Sequence, residues 1–372
     1  MEFGRRKFVV SMAGLGALIA AGGWSVFRRP SLGFLIGASG REFICVDLRT
    51  NKLKSISAIN LAHSFVVWPH KKACALAPEK SGNKMSLVNF ENGTVEKVIT
   101  APASRLFYGH LAMASDNSVF YSSQVDTVSG AGFLVTYNSR NFSIIDETQI
   151  CPGGIHDISF VRGQDDRLAF TSSGVRHTYD GAFTVGHHES TRVEPSTIQI
   201  YDLKARKIIR SYPLDDDSMI FGHLKTLSDG TIAAITTLFD GYQGISKTKS
   251  GSVFLLNSDG IRKLPVPENV RAQMNHELLT VAADQENRVL FATNPIGQKT
   301  LIYEIPSGRL LDVWSSDTNG ATYAPLNDKW YISSQKTPAI QADNIVDLSN
   351  MAHLTSSHFT WAPPDFFQRP QT

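Results

Sequence analysis

The sequence predicts an all-β fold: a seven-bladed β-propeller of four-stranded antiparallel blades, closed by a C-terminal strand, with six blades as the alternative. Three observations predict it. Seven stretches repeat one pattern, an apolar run opened by histidine or a small residue, a tight turn, and a second apolar run ending in Ser, Thr or Ala. Each is followed by a period-two strand with an aromatic or acidic residue that turns into another short strand. The period of about 45 to 50 residues is that of a four-stranded propeller blade, and self-similarity at that spacing means radial repetition.

Five of the openings carry histidine: His63-Ser-Phe-Val-Val-Trp-Pro, Gly109-His110-Leu-Ala-Met-Ala-Ser-Asp116, His156-Asp-Ile-Ser-Phe-Val, Gly222-His223-Leu-Lys-Thr-Leu-Ser-Asp229 and His276-Glu-Leu-Leu-Thr-Val-Ala. Gly320-Ala-Thr-Tyr-Ala-Pro keeps the position without the imidazole, and His358-Phe-Thr-Trp361-Ala-Pro resembles the first. The second halves read Ile44-Cys-Val-Asp47, Leu87-Val-Asn89, Ile200-Tyr-Asp202 and Ile302-Tyr-Glu304. The Trp-Asp dipeptide of tryptophan-aspartate propellers is missing from the repeats.

Residues 33–57 supply three strands of a first blade, and further blades are expected at 63–99, 110–148, 155–213, 223–264, 276–313 and 320–354. The fourth strand of the first blade comes from His358 to Ala362, a clasp that leaves no unpaired edge between the chain ends. Alternation is weakest over 340–362, and an irregular stretch there would leave six blades.

The chain has 372 residues, a length that by itself suggests two or three domains, but the repeats make residues 31–362 one. Residues 1–30 stand outside it, as does a Pro-rich tail at 363–372. Hydrophobic residues make up 42% and charged ones 19%, enough apolar surface for large sheet interfaces. A net charge of +2, with no basic run interleaved with aromatics in the repeats, argues against nucleic acid as a partner. A monomer is expected.

Gly4-Arg5-Arg6-Lys7-Phe8-Val9-Val10 leads an apolar stretch to Phe27, which reads as a twin-arginine export signal and places the folded protein in the periplasm. About 20 apolar residues also suffice for a membrane anchor if the segment is not cleaved, the one membrane contact expected. Cys45 and Cys74 fall within strands and Cys151 in a Pro-Gly-Gly turn. An odd count leaves at least one thiol free, and a Cys45–Cys74 bridge stays open.

Strand direction gives the repeat a chemical meaning. The innermost strand of a blade starts on the face to which the second strand returns, so opening histidines and second-to-third connections share one mouth of the central channel. His63, His110, His156, His223 and His276 form the candidate ring for a metal or ligand. Long connections at 173–195 and 238–250, with 124–131 beside them, overhang it. The first carries Arg176, His177, Asp180, His187, His188 and Glu189, a lid of groups suited to metals or acids, or simply a solvated lid. Asp157, Glu277 and Asp126 are candidate carboxylates behind the histidines, able to fix a tautomer. The alternative for the ring is structural: Gly-His opens the tryptophan-aspartate repeat, and there the imidazole bonds within its own blade. Nucleophile elbows, zincin helices, P-loops and Cys-x-x-Cys pairs are absent from the sequence.

Phe107-Tyr-Gly-His110, Gly153-Gly-Ile-His156-Asp157, Glu194-Pro195-Ser196 leading to Tyr201-Asp202, and Gly222-His223-Leu224 with Asp229-Gly230 resemble an exported bacterial family of unknown function. The resemblance covers about 60–245 and implies twin-arginine targeting, a propeller, and genes beside imelysin-type iron-uptake proteins. Gln124-Val125, Ser172-Ser173-Gly174, Arg176 and His177 depart from the family pattern. The resemblance implies a periplasmic binding module of iron or other metal acquisition, partnered by metal-uptake proteins; the imidazoles themselves suit iron, copper or zinc as a cofactor, with no cofactor as the alternative. Two alternatives stand beside it: a metal-dependent propeller enzyme, an oxidoreductase or lactone hydrolase, and an interaction scaffold without metal.

Overall fold

The structure, a computed structural model, describes residues 32–178, 189–239, 249–275, 278–284, 288–326, 329–334, 345–347 and 358–368. The chain divides into a unit of residues 1–31 and a unit of 32–372, and the fold is that of the second. Among the described residues it is a propeller of small antiparallel sheets with almost no helix.

Six sheets are complete blades. They lie at 34–57 joined by 360–362, then 66–100, 105–151, 155–213, 219–263 and 280–315. The next sheet, within 318–347, has three strands, and its outer strand Ile345–Asp347 runs parallel to Lys329–Ser334. Among the described residues the complete blades therefore number six, the alternative, and not seven. The break falls at the edge of the stretch whose alternation is weakest. Without period-two patterning there is no apolar face to fix the register of a returning antiparallel strand.

The clasp forms as the repeats require. Thr360–Ala362 pairs antiparallel with Phe34–Ser39, Phe34 opposite Ala362 and Ile36 opposite Thr360. Beyond it the Pro-rich segment does not trail away. Pro364–Phe367 makes one turn of 3-10 helix, which buries Phe366 among Phe34, Phe43 and Phe90.

Local chemistry explains the outer half of each blade. Asp47, Asn89, Asn138 and Asp202 end third strands, and each side-chain oxygen accepts a backbone N–H two or three residues on, from Arg49, Glu91, Arg140 and Ala205 respectively. Four residues after these anchors stand Asn51, Gly93, Phe142 and Arg206, all at positive φ, and Gly308 follows Glu304 in the same way. This is a turn with a left-handed final residue, which feeds the fourth strand at the sheet's own twist.

Successive sheets pack through apolar clusters. Leu76 and Leu87 meet Phe107 and Phe120, Ile198 and Ile200 meet Phe221 and Ala234, and Ile235 and Val253 meet Leu290 and Leu301. Ala324 and Tyr331 of the three-stranded sheet join Leu35 and Ile44 of the first blade. Each such side chain contributes roughly 1.5–3 kcal/mol when buried, so the ring is held by sheet faces. Cys45, Cys74 and Cys151 are buried free thiols within this packing, with no bridge between the first two. Burial pushes each up to about 12, the state of inert apolar fillers.

Candidate functional site

Inner strands of three blades break register at the same place. Arg105–Met113, Ile155–Val161 and Met219–Thr226 are bulged against their second strands around His110, His156 and His223. A bulge re-aims a side chain that a regular pleat would send into the sheet interface. Thr318–Ala324 carries the same irregularity at Asn319, just before Gly320, the repeat position that lacks an imidazole. A hydroxyl from the preceding blade donates to each of three bulge carbonyls: Ser64 Oγ to Gly109 O (2.5 Å), Thr171 Oγ1 to Gly222 O (2.7 Å) and Thr280 Oγ1 to Asn319 O (2.8 Å). Gly109 sits at φ +103°, and a Cβ there would collide with the His63 ring, so the glycine admits the neighbouring imidazole.

The imidazoles converge. Ring centroids of His63 lie 4.9 Å from His110, 4.5 Å from His358 and 5.8 Å from His156. Those of His223 lie 4.5 Å from His156, 4.4 Å from His358 and 5.1 Å from His110. One nitrogen from each of His63, His110, His223 and His358 lies within 4.8 Å of the others. His156 Nε2 is 3.3 Å from His223 Nε2. The contacts run between blades, so the alternative in which each histidine bonds within its own blade does not describe this cluster.

Asp157 ties two of these histidines together. Its Oδ1 lies 3.1 Å from His110 Nδ1 and its Oδ2 3.4 Å from His223 Nδ1. Backbone N–H groups of Ile158 and Leu224 donate to the same carboxylate. A carboxylate at Nδ1 places the proton there and leaves the lone pair on Nε2. The Nε2 atoms of His110 and His63 are sealed from solvent and meet no hydrogen-bond partner, and neither does His223 Nδ1, whose 3.4 Å contact with Asp157 is electrostatic and lacks hydrogen-bond geometry. Buried nitrogens of that kind are costly unless something fills them.

Charge in the cluster follows from burial. His63 is held well below the usual histidine range by burial, then by the neighbouring His358, and His156 by burial, then by Lys80 and His223. Burial also holds down His358, with His223 next. For His110 burial outweighs the opposing pull of Asp157 and brings the ring to about 4. Burial alone would raise Asp157, but attraction to His110 and His223 and the backbone N–H of Leu224 leave it below the ordinary carboxylate value. At neutral pH these four histidines are therefore uncharged and Asp157 is ionised, the protonation state that metal ligation requires.

Of the lid, His177 stacks near Tyr108 at 6.3 Å, and Tyr108 in turn meets His156 at 6.0 Å. Val175–Thr178 and Glu189–Arg192 pair as a hairpin, and the Arg176 stem lies over Gly130 of the 124–131 connection. Lys80–Gly82, from a second-to-third connection, adds a fifth strand beside Tyr108 and Phe107. Asp180, His187, His188, His276 and Glu277 lie outside the described residues, as do 240–248, while Glu189 is placed by its backbone only. Asp126 is not behind the histidines. It pairs with Arg105 at 3.7 Å and accepts from Ser104 and Ser129. Gln124 likewise turns into its blade and donates to Tyr137 Oη at 2.7 Å. His358, absent from the predicted ring, belongs to the cluster. Its signal was the likeness of its run to that of His63 and its place at the start of the clasp, the inner strand of the first blade.

The profile of a family described as "Protein of unknown function (DUF1513)" matches residues 59–361, so the chain belongs to that family. No curated protein matches it. Among solved structures it is similar to Kuenenia stuttgartiensis hydrazine synthase, at 11% identity and TM-score 0.60 over 82% of this chain and 91% of that one. It is also similar to the Cps50 (Swd1) β-propeller domain of Myceliophteria thermophila, at 13% identity and TM-score 0.57 over 82% and 90%. At these identities the likenesses show the fold alone.

Proposed function

We propose that this member of the DUF1513 family is a metal-binding propeller, with a transition-metal ion held by His63, His110, His223 and His358 and with His156 beside them. The observation that carries the reading is the meeting of four imidazole donors within 4.8 Å across blade boundaries. Four points with that largest separation lie at most about 2.9 Å from their centre, against roughly 2.0–2.1 Å for an imidazole–zinc bond. Inward shifts of about 0.9 Å per donor thus suffice, within the reach of a side-chain rotation. The 3.3 Å between His156 and His223 is itself about the edge of a tetrahedron with such bonds. Catalytic metal sites keep a ligand position open, and a centre with a fifth imidazole at hand supports binding or transfer of the ion over turnover.

The Arg5-Arg6 pair before an apolar stretch supports export by the twin-arginine route to the periplasm, cleaved or anchored. Metal acquisition, with metal-uptake proteins as partners, is the process that joins a buried histidine centre to that location. Among the described residues no helix is long and apolar enough to cross a membrane.

The test is metal analysis by mass spectrometry of protein produced with its own leader and purified from the cell envelope. About one equivalent of transition metal is expected, lost in the double variant His110→Ala, His223→Ala. Wild-type protein that arrives without metal and takes none up on dialysis would overturn the reading.

A further inference from the structure

We infer that the histidine centre selects a divalent late first-row cation and rejects ferric iron. The inference rests on the reading of the cluster as a metal site and names the ion that site takes. Every donor in the group is an imidazole, and among the described residues neither a carboxylate nor a thiolate joins it. The carboxylate of Asp157 is committed to His110, His223 and the N–H groups of Ile158 and Leu224, so it neutralises from behind the ligands and does not bond the ion. Thiolate donation is excluded for Cys45, Cys74 and Cys151, which are buried in sheet packing and held protonated.

Imidazoles bring no negative charge to the ion, and Asp157 supplies a single one beside His110 and His223. A bound ion therefore keeps more than one unit of charge inside a buried pocket. The penalty for burying charge grows as its square, roughly 9 to 4 for a trivalent against a divalent ion. Donor chemistry acts in the same direction. Imidazole suits Zn, Cu, Ni and Fe, whereas a hard trivalent ion favours anionic oxygen over a set made only of neutral nitrogen donors. Within the divalent series the order is Fe²⁺ below Zn²⁺ and Zn²⁺ below Cu²⁺.

Metal-free, full-length protein is dialysed to equilibrium against nitrilotriacetate buffers of Cu²⁺, Zn²⁺, Fe²⁺ under argon, and Fe³⁺, and the retained metal is measured by mass spectrometry. After correction for the chelator, Zn²⁺ and Cu²⁺ are expected to bind at least about 100-fold more tightly than Fe³⁺. Ferric iron held as tightly as Zn²⁺ overturns the selectivity while leaving a metal site. Retention of none of the four ions overturns the metal reading itself, so the two failures are told apart.

Discussion

Asp157→Asn probes the carboxylate that faces two histidines of the cluster, His110 and His223. The carboxylate accepts two backbone N–H bonds, Ile158 N to Oδ1 at 2.8 Å and Leu224 N to Oδ2 at 3.0 Å, and pairs with two imidazoles, with His110 Nδ1 3.1 Å from Oδ1 and His223 Nδ1 3.4 Å from Oδ2. An amide can imitate only one of those oxygens. Its NH₂ group then stands against two donors. Either a buried backbone N–H and an imidazole N–H lose their acceptor, or that histidine moves its proton to Nε2 and accepts from the amide through Nδ1. The first outcome costs about 1–3 kcal/mol for each buried donor left unmet, and the second removes the lone pair that would hold the metal. The variant is therefore expected to lose about 2–4 kcal/mol of metal-free stability in urea unfolding. Metal affinity should fall about 10–100-fold by chelator competition, and long-range proton–nitrogen correlation spectra should show a changed tautomer at His110 or His223. An Asn variant with the wild-type urea midpoint, tautomers and affinity would refute the role given to this carboxylate.

Two further outcomes follow from the same geometry. For His110, lowered from 6.5 to about 4, the unfolded chain takes up the proton first, so stability is complete above about 6.5 and is lost as pH falls toward 4; at 1.36 kcal/mol per unit that amounts to about 3 kcal/mol. Urea midpoints of metal-free protein measured from pH 8 to 4 should show this decline, with the lowered Asp157 adding its own loss only as pH falls through its folded value, below 3.8; a flat profile would contradict burial of neutral imidazoles. Gly109→Ala places a Cβ against His63 at a φ of +103°, which should cost about 1–3 kcal/mol of stability and weaken metal binding by displacing one donor. Thermal unfolding and metal stoichiometry check it, and an alanine variant that matches wild type in both would show that the glycine has no such task.

The candidate site was partly legible for a specific reason. His110, His156 and His223 stand in equivalent repeat positions, and radial repetition turns equivalent positions into neighbours around one axis. His63 joined them by the same rule. His358 could be read only once its run was taken as a repeat unit as well as a clasp, since it lies 295 positions after His63 in sequence. Asp126 was misplaced because a carboxylate at a strand end looks the same whether it faces the axis or closes its own turn, and here Ser129 Oγ and two backbone N–H groups hold it in the turn. Asp157 could be named as a neighbour of a histidine, but not as the bridge between His110 and His223. That role needs the next blade.

Blade identity, strand order within a blade, the chain-closing strand and the face that carries the histidines were determined by the sequence, because apolar period and turn chemistry are local and recur. Whether the last sheet completed itself was decided in three dimensions, where Ile345–Asp347 pairs parallel with Lys329–Ser334. The direction of each imidazole was settled there too. Bulges at three inner strands rotate His110, His156 and His223 toward one another, and a bulge depends on the partner strand and the neighbouring blade, whose contacts no single stretch of sequence contains.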